Sequence, residues 1–260
     1  MTEFDPNKPI FKQKIVGETE VELPCGLLLG GTLHKTAMVT PIMVKDRKDA
    51  MDPSRKRNGA KIVSHLLESR VTRIGEISPV GPLHSKSLLA GDREFLLLKL
   101  YEVSNPGKPL TAQFKCSHCK ADVEVEIPME EISILQMPED AQNDTTGAVR
   151  TFKVDLPDWE VSAVFKYPNG EMQEAVAPLI DTNPAEGELM LFRKMLVSWN
   201  GGPPLTEIQF DTLPIGLISG LEKAMMEKSF GPDLRKKLLC GNCGETSFTG
   251  LNIANFLFRS

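Results

Sequence analysis

Cysteine is scarce in this chain, five residues in 260, yet four of the five fall in two C-x2-C pairs, Cys116/Cys119 and Cys240/Cys243. Aromatic residues are few, at 6%. No apolar run approaches the roughly 18 residues that a membrane-spanning helix requires, which argues against a membrane protein. The opening MTEFDPNKPIFKQK has no basic segment leading into an apolar stretch, so a secretory signal is not expected there and the protein is expected to be cytoplasmic. A basic surplus is missing as well. The formal net charge of -5 gives no general attraction to nucleic acid or anionic lipid, and the cluster Arg55, Lys56, Arg57 reads most simply as a solvated loop. Phosphate-cradling glycine motifs are absent. His34, His65 and His84 lie in separate segments with no ligand spacing or nucleophile partner. Nothing here makes a case for an enzyme.

What the chain does have is an ordinary globular composition, 41% hydrophobic and 25% charged, with enough length for one large domain or two of common size. Strand-like segments open it, Gly17 to Leu23 and Leu33 to Val44. From Ala60, the residues Ile62, Val63, Leu66, Leu67, Val71 and Ile74 recur at helical spacing, which predicts one amphipathic helix ending at Gly75. SLLAGDREFLLLKLYEVSNPG predicts a second helix, with Asp92 as its cap and Asn105, Pro106 and Gly107 as its stop. After the first cysteine pair a strand is expected in which Asp122, Glu124 and Glu126 share a solvated face and Val123, Val125 and Ile127 face the other way.

The second half repeats this order. Two strands are expected around a turn at Pro168, Asn169 and Gly170, then a helix from about Glu188 to Gly201, then a helix starting at Pro214, then CGNCG. Gly75 and Gly201, Glu102 and Glu227, and Cys116 and Cys240 are 126, 125 and 124 residues apart, the kind of common offset an old duplication leaves. The expected fold class is therefore α+β, two pseudo-repeated half-domains, each with a strand hairpin, two helices and a C-x2-C knuckle. An N-terminal arm would span 1–20, the first half-repeat 21–145 and the second 146–260.

A C-x2-C turn directs two thiolates into one site, and two such turns supply four ligands for tetrahedral zinc. Cys116, Cys119, Cys240 and Cys243 are thus the candidate metal ligands, with one knuckle from each half and a structural Zn2+ between them. Dithiol redox chemistry is the competing reading, disfavoured because neither pair sits in a thioredoxin-like strand-to-helix context. Four cysteines would saturate the metal and leave no position for a catalytic water. His118, between two ligands, is expected to point outward, and Cys25 to be a small core residue.

LPCG, LHKTAMVTP, SHLLESRVTRIG, LLAGDREFLLLKLYEVS and then CSHC together resemble the T-even phage baseplate-hub assembly protein family, over most of residues 20–130. The terminal CGNCGETSFTGLNIANFLF is similar in character. The resemblance implies a non-enzymatic component of a contractile tail or contractile injection system, resident in the baseplate or helping its hub assemble. Its partners would be hub, tube or tape-measure proteins. It carries over Gly91, Asp92 and Arg93 as a helix-start motif and Cys116 and Cys119 as metal-ligand candidates. The apolar tail, with Leu251, Ile253, Phe256, Leu257 and Phe258, either packs on the chain's own core or inserts into such a partner. The alternative is a zinc-ribbon adaptor that binds nucleic acid or a polymerase-like complex, against which the acidic pI and the few aromatics argue.

Overall fold

The computed structural model describes residues 17–52, 58–142, 149–250, 253 and 257. The chain begins with a hairpin, β1 (Thr19–Leu29) and β2 (Thr32–Val39), joined by the two-residue loop Gly30–Gly31. Helices α1 (Val44–Met51) and α2 (Gly59–Arg70) follow, and β3 (Val71–Ile74) returns antiparallel to β2, making a sheet of order β1-β2-β3. Then come the short α3 (Pro82–Ser87), the long α4 (Ala90–Ser104) and a separate two-stranded hairpin, β4 (Leu110–Lys115) and β5 (Asp122–Ile127). A short β6 (Ile134–Leu135) and α5 (Glu139–Gln142) lead to the second half.

That half holds β7 (Thr151–Leu156), β8 (Val161–Lys166), α6 (Gly170–Thr182), α7 (Pro184–Met195) and β9 (Leu196–Trp199), with an antiparallel sheet of order β7-β8-β9. It continues through α8 (Glu207–Asp211), α9 (Ile215–Glu227), β10 (Gly231–Pro232) and a last hairpin, β11 (Arg235–Leu239) and β12 (Thr246–Gly250). β10 pairs with β6, which ties the end of the second half to the link between the halves. The result is a mixed α/β protein with several antiparallel sheets.

Four sequence-based expectations are corrected. The helix expected to run from Ala60 to Gly75 stops at Arg70, and its last turn is the strand β3; the helix expected to end at Gly201 stops at Met195 and becomes β9. Both errors have one cause. Val71, Thr72 and Ile74, and Leu196, Val197 and Trp199, are spaced to extend the preceding apolar stripe, but β-branched and aromatic side chains favour a strand where a partner edge is waiting. The hairpin turn of the second half lies at Pro157 to Glu160, not at Pro168 to Gly170; Asn169 instead caps α6, its side chain accepting from the Met172 N–H at 3.0 Å. Asp92 does not cap α4, whose N-cap residue is Leu89.

Two apolar cores result. The first is mainly aliphatic, built on Leu23, Leu67, Ile74, Leu96 and Leu100. The second collects a chain of rings: Phe152 and Tyr167 are 4.6 Å apart between centroids, Phe165 and Phe192 5.0 Å, Tyr167 and Phe230 5.5 Å, all within the range of favourable aromatic pairing. Ile253 is 2% exposed and belongs to the first core, with Leu257 packed beside it. Ile253 is therefore not free to enter a partner. Leu251, Phe256 and Phe258, like the Arg55 to Arg57 cluster, lie outside the described residues.

Candidate metal centre

Each cysteine pair sits in the loop of a two-stranded hairpin, and the two loops are built alike. Cys116 N–H donates to Ala121 O at 2.9 Å and Lys120 N–H to Cys116 O at 3.1 Å; Cys240 N–H donates to Glu245 O at 2.9 Å and Gly244 N–H to Cys240 O at 2.8 Å. The residue after the second cysteine is left-handed in both loops, Lys120 at φ 61° and Gly244 at φ 75°. These contacts curl the chain so that both thiols of a pair leave the same side.

The loops meet. Cys116 Sγ lies 3.7 Å from Cys243 Sγ and Cys119 Sγ 3.7 Å from Cys240 Sγ, and all four sulfurs fall within 4.8 Å of one another. At 3.7 Å the sulfurs are too far apart for a disulfide bond of about 2.05 Å. Cys116 and Cys240 are buried, Cys119 and Cys243 exposed, and the group can bind a metal ion. N–H groups aim at the sulfurs as well. The Asn242 side-chain amide, 3.4 Å away, and the Ala121 N–H pull Cys119 down to about 6, and the N–H groups of Cys119 and His118 lower Cys116. His118 is exposed, as expected, and is not part of the sulfur cluster.

Of the other residues singled out from sequence, Cys25 is buried, and burial with the nearby Asp92 carboxylate pushes its thiol up to about 12, an inert core residue. His65 faces Glu68 at 3.4 Å, and His84 Nδ1 accepts from the Gly81 N–H. Asp122, Glu124 and Glu126 do share the exposed face of β5.

A second polar cluster was not legible as such. Between Glu22 and Leu27 the β1–β2 register breaks in a bulge, where Gly26 adopts φ +92°, and the bulge releases the N–H groups of Cys25 and Gly26 from the ladder. Asp92, fully buried at the start of α4, accepts both, at 2.9 and 3.0 Å. Its neighbour Arg93 is 1% exposed and forks into three other helices: Nε to Gln173 Oε1 at 2.8 Å, Nη1 to Ser85 O at 2.6 Å, Nη2 to Ala60 O and Ser64 Oγ. Ser64 in turn donates to Glu174, which also meets Lys86. The motif LAGDRE is thus a seam: Gly91 lies against Phe230 and Gly231, with no room for a Cβ, Asp92 ties α4 to β1, and Arg93 ties it to α6. One signal was present in the sequence. Phe95, Leu96, Leu97 and Leu98 make the central turn of α4 apolar on every side, and a turn of that kind is buried, so the charges just before it are buried with it.

Burial pushes the Asp92 carboxyl up to about 6, against the pull of its two N–H donors, and Glu94 up to about 7. The folded chain therefore keeps these protons to a higher pH than the unfolded chain, unfolding between about pH 4 and 7 releases protons, and stability falls as pH rises through that window. Glu94→Gln removes one contribution. Its melting temperature should match the wild type near pH 4.5 and exceed it at pH 8, by up to about 3 kcal/mol in stability; melts at both pH values, with equal metal content, check this.

The fold and the sulfur cluster define a mixed α/β protein carrying a four-cysteine group able to hold a metal, and among the described residues no helix is long and apolar enough to cross a membrane. The family described as T4 bacteriophage base plate protein matches residues 27–195, and the chain belongs to it: it is a T4-like phage baseplate protein. The match takes in the LAGDRE seam and the first cysteine pair and stops before the second. No curated protein and no solved structure matches the chain.

Proposed function

We propose that this protein is a non-enzymatic structural or assembly component of a contractile-tail baseplate or its hub, held in shape by one structural zinc ion. Membership of the baseplate family carries the first part. The sulfur geometry carries the second. A tetrahedron with Zn–S bonds of about 2.3 Å has edges of about 3.8 Å, and the two closest sulfur pairs are 3.7 Å apart. Cys116, Cys119, Cys240 and Cys243 would fill all four positions, so the metal would have no open site for water or substrate. Zinc here would clamp two segments far apart in sequence.

The same reading takes 21–145 and 146–260 as pseudo-repeats behind an arm at 1–20. What supports it is the order of elements: in each half a hairpin, a helical stretch ending in a third antiparallel strand, a further helix and a cysteine hairpin. Partners would be hub, tube or tape-measure proteins, met in the cytoplasm during assembly and in the particle if the chain stays there. Co-expression of the zinc-loaded chain with the tail proteins encoded beside it tests the role. Co-purification of a stable complex with a hub, tube or tape-measure protein is the expected result. Affinity for DNA or RNA that falls steeply with salt, without any tail complex, would instead favour the ribbon adaptor.

A further inference from the structure

A cleft of about 550 Å3 opens between the first turn of α4, the end of α9 and the aromatic core, walled by Phe152, Tyr167, Leu191, Met195 and Met225. Its size is that of a site for one or two large side chains. Its lining is mostly apolar, with Glu94, Glu188, Glu222, Lys228 and Ser229 as the polar residues among those described. Glu94 lines it, half-buried, and has no hydrogen-bond or ion-pair partner among the described residues. A carboxylate facing an apolar wall without a partner costs stability, and a cation brought to it would offset that cost. The other charged groups agree in sign: among the described lining residues the carboxylates Glu188 and Glu222 outnumber the one cation, Lys228. Methionines along the wall, Met195, Met225 and Met226, can rearrange around an incoming chain.

We propose that this cleft is a docking site for a segment of a partner protein in which a Lys or Arg is flanked by apolar residues, the cation pairing with Glu94 and its neighbours filling the apolar wall. The proposal rests on the baseplate reading, which makes the partner another protein of the same particle. Charge complementarity selects this occupant over an acidic or purely apolar one.

The test uses the full, zinc-loaded chain and two probes: a displayed library of random 15-residue peptides, and the tail proteins encoded beside this chain. The library should yield peptides with a cation between apolar residues, whose affinity falls about 10- to 100-fold in Glu94→Gln and further in Glu94→Lys. Replacing the peptide cation by Glu should restore binding to Glu94→Lys. Glu94→Gln should melt no lower than the wild type, which separates lost docking from lost folding. Peptides without a cation, or binding indifferent to Glu94→Lys, overturn the proposal. Tail-protein capture that persists in Glu94→Lys overturns the cleft and leaves the baseplate reading standing. A cleft that selects cationic apolar peptides in a chain no tail protein captures sustains the cleft and overturns the proposed structural or assembly role with hub, tube or tape-measure partners.

Discussion

Removing the metal with a high-affinity chelator should melt the cysteine loops and the strand ends beside them, while the two apolar cores, one of which holds Leu110 and Ile127 at the base of the first hairpin, survive. Four-cysteine zinc sites contribute on the order of 10 kcal/mol to the folding of small domains, whereas a two-stranded hairpin alone is marginal in water. Among the described residues β4 pairs only with β5 and β11 only with β12, and the sulfur cluster joins the two loops. Hydrogen exchange is the readout. Amides near the loops, in 113–124 and 236–248, should lose protection on chelation, and those of β7 and β8, like those of Leu110 and Ile127 in the first core, should keep it. Cys119→Ser and Cys243→Ser should each lower bound zinc below about half an equivalent in fully reduced protein at micromolar chelator, against one equivalent for the wild type. Less than half an equivalent in the wild type itself would sink the four-ligand reading.

Arg93→Ala should be the most damaging single substitution outside the cysteines, costing about 3–5 kcal/mol, a drop in melting temperature of about 10 °C. The guanidinium is 1% exposed and makes four hydrogen bonds to α2, α3 and α6. Its loss strands the Ser85 carbonyl and leaves Glu174 short of positive charge. Burial lowers Arg93 only to about 10, so it stays charged at any physiological pH. Arg93→Lys keeps the charge but not the fork, and should recover less than half of the lost stability. Urea titrations with intact zinc check both; a loss below 1 kcal/mol for Arg93→Ala would show that the seam between the halves does not depend on this side chain.

Local signals in the sequence carried far. The alternation of Asp122, Val123, Glu124 and Val125 read correctly as a strand face, the start of α9 at Pro214 was legible, and so was the burial of Cys25, because each depends on neighbours in the chain. The cysteine spacing pointed to the four sulfurs that the structure brings within 4.8 Å of one another. What was misread depends on partners distant in sequence. Val71 to Ile74 is a strand only because β2 offers an edge, and Asp92 looks like a helix cap until the bulge at Gly26 presents two unpaired N–H groups. The different make-up of the two cores, one leucine-rich and one ring-filled, likewise depends on residues brought together from distant segments, such as Ile253 in the first and Cys25 in the second.

The wide separation of the two knuckles has a consequence for synthesis. The first pair emerges from the ribosome long before the second, and domains tend to form from the N-terminus as they appear. Until Cys240 is made, the first pair can offer a metal only two sulfurs of the four. Full coordination of a metal would therefore require the last hairpin: a chain truncated before it would leave the first pair as an open, exchangeable site, and synthesis of β11–β12 would close it.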